Sequence, residues 1–372
     1  MSKRRKSARG GEDAPDPAGE AGAAPVKPKR TKKNGLGFFG SLVASLFVLA
    51  LAGVATAAGG YYWLLHSLDQ QGPSTEDQVL MVPPGSGVNA IAARLEADGL
   101  VASRYLFRAG VTLEGVERSL KAGEYAIPAG ASMREIFTKL ADGDVIEYTV
   151  TFAEGLTSAM IVDVLAAADV LDGAVADIPA EGSLLPETYQ VVRGTSRQAL
   201  LDRMAAAQSA LIDRLWEERA DGLPFETKEE AIILASIVEK ETGVPHERGR
   251  VAAVFVNRLR RGMRLESDPT IIYGISQGVP LVNAEGQRRG LRRSELDDAS
   301  NPYSTYHIAA LPPGPICNPG ADSIAAVLNP PETNDIFFVA DGSGGHAFAE
   351  TLAEHNRNVA NWRRIERERN GG

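Results

Sequence analysis

The chain has 372 residues, 44% hydrophobic and 23% charged, with 39 Lys or Arg against 48 Asp or Glu and a formal net charge of −9. That length exceeds one ordinary domain of ~150 residues and predicts two or three compact units with tails; the composition excludes a collagen-like or wholly disordered chain. Residues 1–34 hold ten Lys or Arg against four acids, a net of +6, so the rest carries −15 and offers no basic surface for nucleic acid.

The first segment, residues 1–34, is rich in Gly, Ala, Pro and charge and reads as a disordered basic tail. Between Lys33 and Asp69 no Asp, Glu, Lys or Arg occurs, and residues 35–66 form an apolar run long enough for a helix across a ~30 Å hydrocarbon layer. Lys29, Arg30, Lys32 and Lys33 precede it, which predicts a cytoplasmic N-terminus, and Tyr61, Tyr62 and Trp63 mark the opposite interface. The expectation is a single-pass membrane protein, with all later residues outside the cytoplasm. The competing reading is a cleaved signal peptide, with Ala55-Thr56-Ala57 as the small-x-small site.

A short repeat follows. The stretches Val82–Leu95, Ile127–Leu140 and Phe152–Leu165 each carry an apolar residue, a turn glycine (Gly85, Gly130, Gly155), Ile six residues later and Leu ten later. Each predicts strand, tight turn and helix, with Ser132 and Thr157 as helix caps. The first two copies form a small α+β domain, and the third opens the next domain.

Farther along, Arg197–Ala220 predicts an amphipathic helix, Lys228–Glu241 a helix with a deeply buried centre, and Arg248–Arg261 a third helix ended by Gly262. Loops dense in Pro, Gly, Asn and Tyr are expected at 268–273, 301–306 and 311–320, then an apolar strand at Ile336–Ala340. Gly342–Gly345 lacks the Lys-Ser or Lys-Thr ending of a phosphate loop and reads as a hairpin turn. His346 and His355, nine apart, match no usual ligand spacing, so no metal and no cofactor is expected. The lone Cys317 has no partner for an internal disulfide and reads as structural.

Glu239 and Glu241 close the apolar helix. Two residues apart means about 200° apart in direction, so the two cannot flank one bond as acid and nucleophile. Glu241 sits above Ile237 and Val238, where poor solvation would raise its pKa and suit it to general acid catalysis. The plain alternative is a pair of ordinary helix-end carboxylates. Tyr273, Tyr303, Tyr306, Asp268, Thr270, Asn318 and the Glu187-Thr188 pair are candidate lining residues of a binding site, each with packing as its alternative. Arg248 is placed to orient Glu241, to hold a peptide carboxylate, or to form a helix-face ion pair.

Several stretches together carry a resemblance: residues 235–242 (Ala-Ser-Ile-Val-Glu-Lys-Glu-Thr), Glu247-Arg248, 254–259, 262–265, 267–274, 311–316, 318–320, 338–340, 344–348 and 354–356. In order and content they resemble the endolytic murein transglycosylase (YceG-like) family. Two positions depart from its pattern: Ser304 in place of Asn, and Ala310 in place of Gly.

The resemblance implies a LysM-like domain over residues 75–147 and a catalytic transglycosylase domain over 148–368, with a lysozyme-like helix carrying the acid. It also implies cleavage between N-acetylmuramic acid and N-acetylglucosamine within nascent peptidoglycan strands, which leaves 1,6-anhydro ends and ends elongation. The family's catalytic glutamate falls on Glu241. The implied partners are glycan strands and, beside them, glycan polymerases or other cell-wall synthesis proteins. Two rival functions remain open from sequence: a lysozyme-like hydrolase that admits water, and a non-catalytic glycan-binding scaffold.

Overall fold

The computed structural model describes residues 36–369 and 371. The basic tail expected at residues 1–34 lies outside the described residues. By contacts the chain divides into two compact units, residues 1–64 and 65–372. Helix α1 (Leu36–Asp69) has 34 residues, about 50 Å at 1.5 Å per residue. From Phe39 onward it is, among the described residues, the one helix long and apolar enough to cross a membrane. Its last five residues belong to the second unit: there Leu68 is fully buried beside Gly110, and Asp69 pairs with Arg134 at 2.6 Å.

The repeat folds as its sequence predicts. Strand β1 (Gln78–Val82) leads to α2 (Val88–Ala97), β2 (Gly123–Ile127) to α4 (Met133–Asp142), and β3 (Glu147–Thr151) to α5 (Ser158–Ala167). The turn glycines Gly85, Gly130 and Gly155 have φ of 78°, 70° and 76°, a left-handed conformation that side chains resist. Ser132 and Thr157 cap their helices through their hydroxyls, Ser132 in a full capping box with Glu135. β1 and β2 pair antiparallel, Leu80 opposite Tyr125, and bury their inner faces with Ile91, Leu95, Ile136 and Leu140. Helix α3 (Arg104–Glu114), absent from the repeat pattern, completes that core with Phe107 and Val111. Glu124 joins this region to the next, accepting from the Tyr148 hydroxyl at 2.7 Å and pairing with Arg193 at 2.8 Å.

β3 pairs antiparallel with β5 (Thr188–Val192), and the two-residue strands β4 (Leu171–Asp172) and β6 (Thr195–Ser196) pair parallel. One core lies between this sheet, α5 and the start of α6 (Arg197–Glu217). A second surrounds α7 (Lys228–Glu241), packed by α6, α8 (Arg248–Arg260) and α11 (Ala321–Leu328).

The bounds of α7 follow from its chemistry. Thr227 and Glu230 form a capping box, Glu229 and Glu230 face the positive end of the helix dipole, and Thr242 turns extended with φ −139°. Between them Ala231, Ile232, Leu234, Ala235, Ile237 and Val238 are all buried. At about 1.5–3 kcal/mol for each large apolar side chain, this burial fixes the helix and its terminal residue firmly in place.

Residues 268–273, expected as loop, instead open helix α9 (Asp268–Ser276). Pro269 sits in its first turn, where the missing N–H costs nothing and the fixed φ suits a helix. Residues 301–306 and 311–320 are loops, as expected. The expected strand is β7 (Phe337–Ala340), joined through Gly342–Gly345 to β8 (His346–Ala349) in an antiparallel hairpin. A short α10 (Arg293–Leu296) and a terminal α12 (Leu352–Arg369) complete the chain.

Candidate active site

Glu241, the last residue of α7, is half-buried and lines a cavity of about 620 Å³. One side of that cavity is made by Leu265, Glu266, Asp268 and Tyr306, which α9 and the loop at 301–306 bring together. The other side is Phe337, Phe338 and Val339 of β7 with Leu352, His355 and Asn356 of α12. Val254, Phe255 and Arg258 of α8 complete the lining.

Ser267 donates its hydroxyl to Glu241 Oε1. It is itself fixed from behind: its amide donates to Thr305 Oγ1 at 2.9 Å, and its carbonyl accepts from Thr270 Oγ1 at 2.7 Å. Glu266, just before it, has a left-handed φ of 55°, a strained setting for a residue with a Cβ. The buried Arg258 holds it there, pairing with the Glu266 carboxylate and donating to the carbonyls of Arg264 and Ile336 at 2.6 and 3.2 Å.

Burial pushes the Glu241 carboxyl up to about 7; the Ser267 hydroxyl pulls against this, the Asp268 charge adds to it and His346 opposes it. Glu239 is also enclosed, its side chain 6% exposed. Its carboxylate is nonetheless well supplied: it accepts from the Gly320 amide at 2.9 Å and the Ser323 hydroxyl at 2.7 Å, with Arg248 4.0 Å away. Glu239 is thus supplied with donors, whereas Glu241, pushed up to about 7, is partly protonated at neutral pH and opens to a groove.

Of the sequence candidates, the structure brings Asp268 and Tyr306 together with Glu241, the Tyr306 hydroxyl donating to Asp268 Oδ1 at 2.8 Å. Thr270 stands behind them, fully buried and bonded to Ser267 and Thr305. Tyr273 and Tyr303 form an edge-on ring pair 4.8 Å apart, and the Tyr273 hydroxyl donates to Glu181 at 3.3 Å, outside the Glu241 cavity. Asn318 is fully buried; it donates to Leu156 O, Ser158 Oγ and Glu181 Oε1 and accepts from the Leu184 amide, which makes it a tie between loops. Glu187 and Thr188 are exposed at the start of β5, where Thr188 bonds Thr151 at 2.9 Å. Arg248 meets Asp322 at 3.1 Å, Glu154 at 3.5 Å and Glu239 rather than Glu241, so the ion-pair alternative describes it.

Ser267, Glu266, Arg258 and Asn356 were not singled out as site residues from sequence, and His355 was weighed there only as a metal ligand. For Ser267 a signal existed: a hydroxyl residue before Asp-Pro is a helix-start signature. Glu247, ahead of α8, grips β8 by accepting the His346 amide at 3.0 Å and Nδ1 at 2.7 Å. Cys317 is buried near the Ser236 carbonyl, and burial pushes its thiol up, as befits a structural cysteine.

Fold and site together define a mixed α+β protein whose cleft is served by one helix-terminal carboxyl that burial pushes up to about 7. The chain belongs to the YceG-like family, whose model matches residues 80–361. It is 29% identical to an endolytic murein transglycosylase of Streptococcus pneumoniae serotype 2, over 86% of this chain and 64% of that protein. It is 28% identical to an endolytic murein transglycosylase of Bacillus subtilis, over 79% of this chain and 86% of that protein. The chain thus spans just under two thirds of the length of the pneumococcal relative. A crystal structure of a YceG-like protein from Listeria monocytogenes is 27% identical, covers 76% of this chain and 99% of its own, and has a TM-score of 0.44.

Proposed function

We propose that this protein is an endolytic lytic transglycosylase that cuts the bond between N-acetylmuramic acid and N-acetylglucosamine inside nascent peptidoglycan strands. The observation that carries the reading is Glu241: a carboxyl raised to about 7 by burial, opening into a groove beside Asp268 and Tyr306. The names borne by its relatives support the same reaction and substrate.

A carboxyl protonated near neutral pH donates to the leaving glycosidic oxygen as an oxocarbenium-like centre develops at the anomeric carbon. The sugar's own 6-hydroxyl then attacks that carbon, and Glu241, now a carboxylate, takes its proton. The product is a 1,6-anhydro end, and strand growth stops there. Asp268, held by Tyr306, supplies negative charge beside the developing cation.

In this reading residues 75–147 are a LysM-like domain and 148–368 the catalytic domain with its lysozyme-like helix. The apolar helix anchors the chain in the cytoplasmic membrane, N-terminus inside, so that the cleft works outside, beside glycan polymerases. Glycan strands incubated with the wild-type chain and with Glu241→Gln, then analysed by mass spectrometry, test the reaction. Anhydro ends that vanish in the variant are expected. Hydrated ends would make the protein a hydrolase, and intact strands would leave a glycan-binding scaffold.

A further inference from the structure

We propose that Ser267 is a positioning residue that dictates which oxygen of Glu241 carries the catalytic proton. The inference rests on the reading of Glu241 as the acid, and deepens it.

The geometry that carries it is a hydroxyl withheld from its ordinary task. Ser103, Ser132, Thr157, Ser196 and Thr227 each precede a helix, and each accepts a hydrogen bond from an amide of that helix. Ser267 precedes α9 in the same way, with an extended backbone at φ −101°, yet its side chain caps nothing. The hydroxyl donates to Glu241 Oε1 instead. A cap bond is a stabilising interaction that Ser favours, and its absence here leaves α9 without one.

The residue is also held more firmly than a loop serine needs to be. Ser267 is 1% exposed, Thr305 accepts from its amide, and Thr270 donates to its carbonyl. Arg258 and the left-handed Glu266 fix the chain before it. The hydroxyl therefore has one direction available.

Two consequences follow for the reaction. With Oε1 accepting from Ser267, the proton of the neutral carboxyl resides on Oε2, the oxygen left for the substrate. In the first step the Oε2–H bond breaks as the glycosidic oxygen gains the proton, and the bond from the anomeric carbon to that oxygen breaks with its electron pair going to oxygen. The carboxylate that results sits in a poorly solvated place, where the Ser267 bond favours the charged form. In the second step the 6-hydroxyl oxygen bonds the anomeric carbon and its proton returns to Oε2. Ser267 thus serves both halves without touching the sugar.

The test uses the full chain in detergent, with the Glu241 carboxyl followed by carbon NMR against a Glu241→Gln reference, and cleavage followed across pH. In Ser267→Ala the Glu241 titration is expected to move up by roughly half to one pH unit. The basic limb of cleavage moves with it, and kcat falls on the order of tenfold with KM within about twofold. Ser267→Thr keeps the hydroxyl and brings titration and kcat back toward wild type. α9 loses no cap bond in either variant, and melting curves check that both are folded. An unmoved or lowered titration in Ser267→Ala, or a Thr variant that titrates like Ala, would overturn the proposal. Wild type that titrates at Glu241 but cleaves no strand would instead overturn the reading of the site itself.

Discussion

Glu239 and Glu241 leave the end of one helix two residues apart and arrive in different surroundings. Glu239 is met by an amide, a hydroxyl and a guanidinium, whereas Glu241 is met by one hydroxyl and the edge of a cavity. Burial raises the pKa of a carboxyl only where donors do not compensate it. Ser267, Gly320 and Ser323, which set the two surroundings apart, lie far from both carboxyls in sequence.

The raised Glu241 predicts a dependence of stability on pH. Its carboxyl titrates at about 7 in the folded chain against an ordinary 4.5, so the folded state keeps a proton that the unfolded chain loses between those values. Its contribution is complete below about pH 4.5 and is lost as pH rises through about 7. Glu241→Gln cannot ionise and keeps an acceptor for Ser267. It is expected to match wild type near pH 4 and to exceed it by about 1–3 kcal/mol at pH 8, after discounting for partial exposure. Urea unfolding at the two pH values measures this, and an equal difference at both would refute it.

Arg248 is predicted to matter for folding through Glu239. It is buried and faces Glu239, Glu154 and Asp322, of which Glu239 is itself enclosed. Removing one partner of a buried pair leaves the other charge uncompensated, which costs about 3–5 kcal/mol. Arg248→Met should lose stability on that scale, while Arg248→Met, Glu239→Gln together should recover much of it. Chemical denaturation of the single and double variants decides; additive losses would show that the two residues are not coupled.

Two tyrosines separate the groove from the scaffold. Tyr306→Phe removes the donor to Asp268 inside the cavity, so cleavage should weaken with little change in stability. Tyr273→Phe removes a bond to the half-buried Glu181, whose carboxyl burial already raises. A loss near 1 kcal/mol is expected there, with cleavage per folded molecule kept. Kinetics and melts on both variants provide the check, and a Tyr273→Phe chain that is stable but slow would return Tyr273 to the substrate groove.

Local chemistry was legible wherever it was sufficient. The strand–turn–helix units were readable because a glycine turn and a hydroxyl cap are each set within a few residues. The extent of α7, Lys228–Glu241, was readable from its apolar centre Ala231–Val238, with charged residues closing either end. Helix α9 was not, since Pro269 reads equally as a loop residue until its place in a first turn is known. The wall formed by β7 and α12 was hidden for another reason. It is brought to Glu241 from about a hundred residues downstream by packing on α8, and no local spacing encodes that. Tyr273 and Asn318 were listed with the groove from their residue types, but those types serve buried hydrogen bonds equally well, as Glu181 shows.

The hairpin wall is predicted to be latched by Glu247 and His346. Glu247 accepts both the amide and the ring Nδ1 of His346, and Gly345 lies so close that a Cβ there would come within 2.5 Å of Glu247 Oε1. Burial alone would raise the Glu247 carboxyl, yet the bonds from His346 hold it below the usual range. For a depressed carboxyl the stabilising contribution is present above the unfolded value of about 4.5 and disappears as pH falls through the folded one. His346→Ala should therefore destabilise by roughly 1–3 kcal/mol at pH 7 beyond its lost packing, and that excess should fall away in acid, well below the ordinary 4.5. Gly345→Ala, which forces the carboxylate back while keeping the histidine, should reproduce the loss at pH 7 and expose Gly342–Gly345 to proteases. Urea melts of both variants at pH 7 and in acid, with limited proteolysis, separate latch from packing: a His346→Ala deficit equal at both would make the ring a packing group and nothing more.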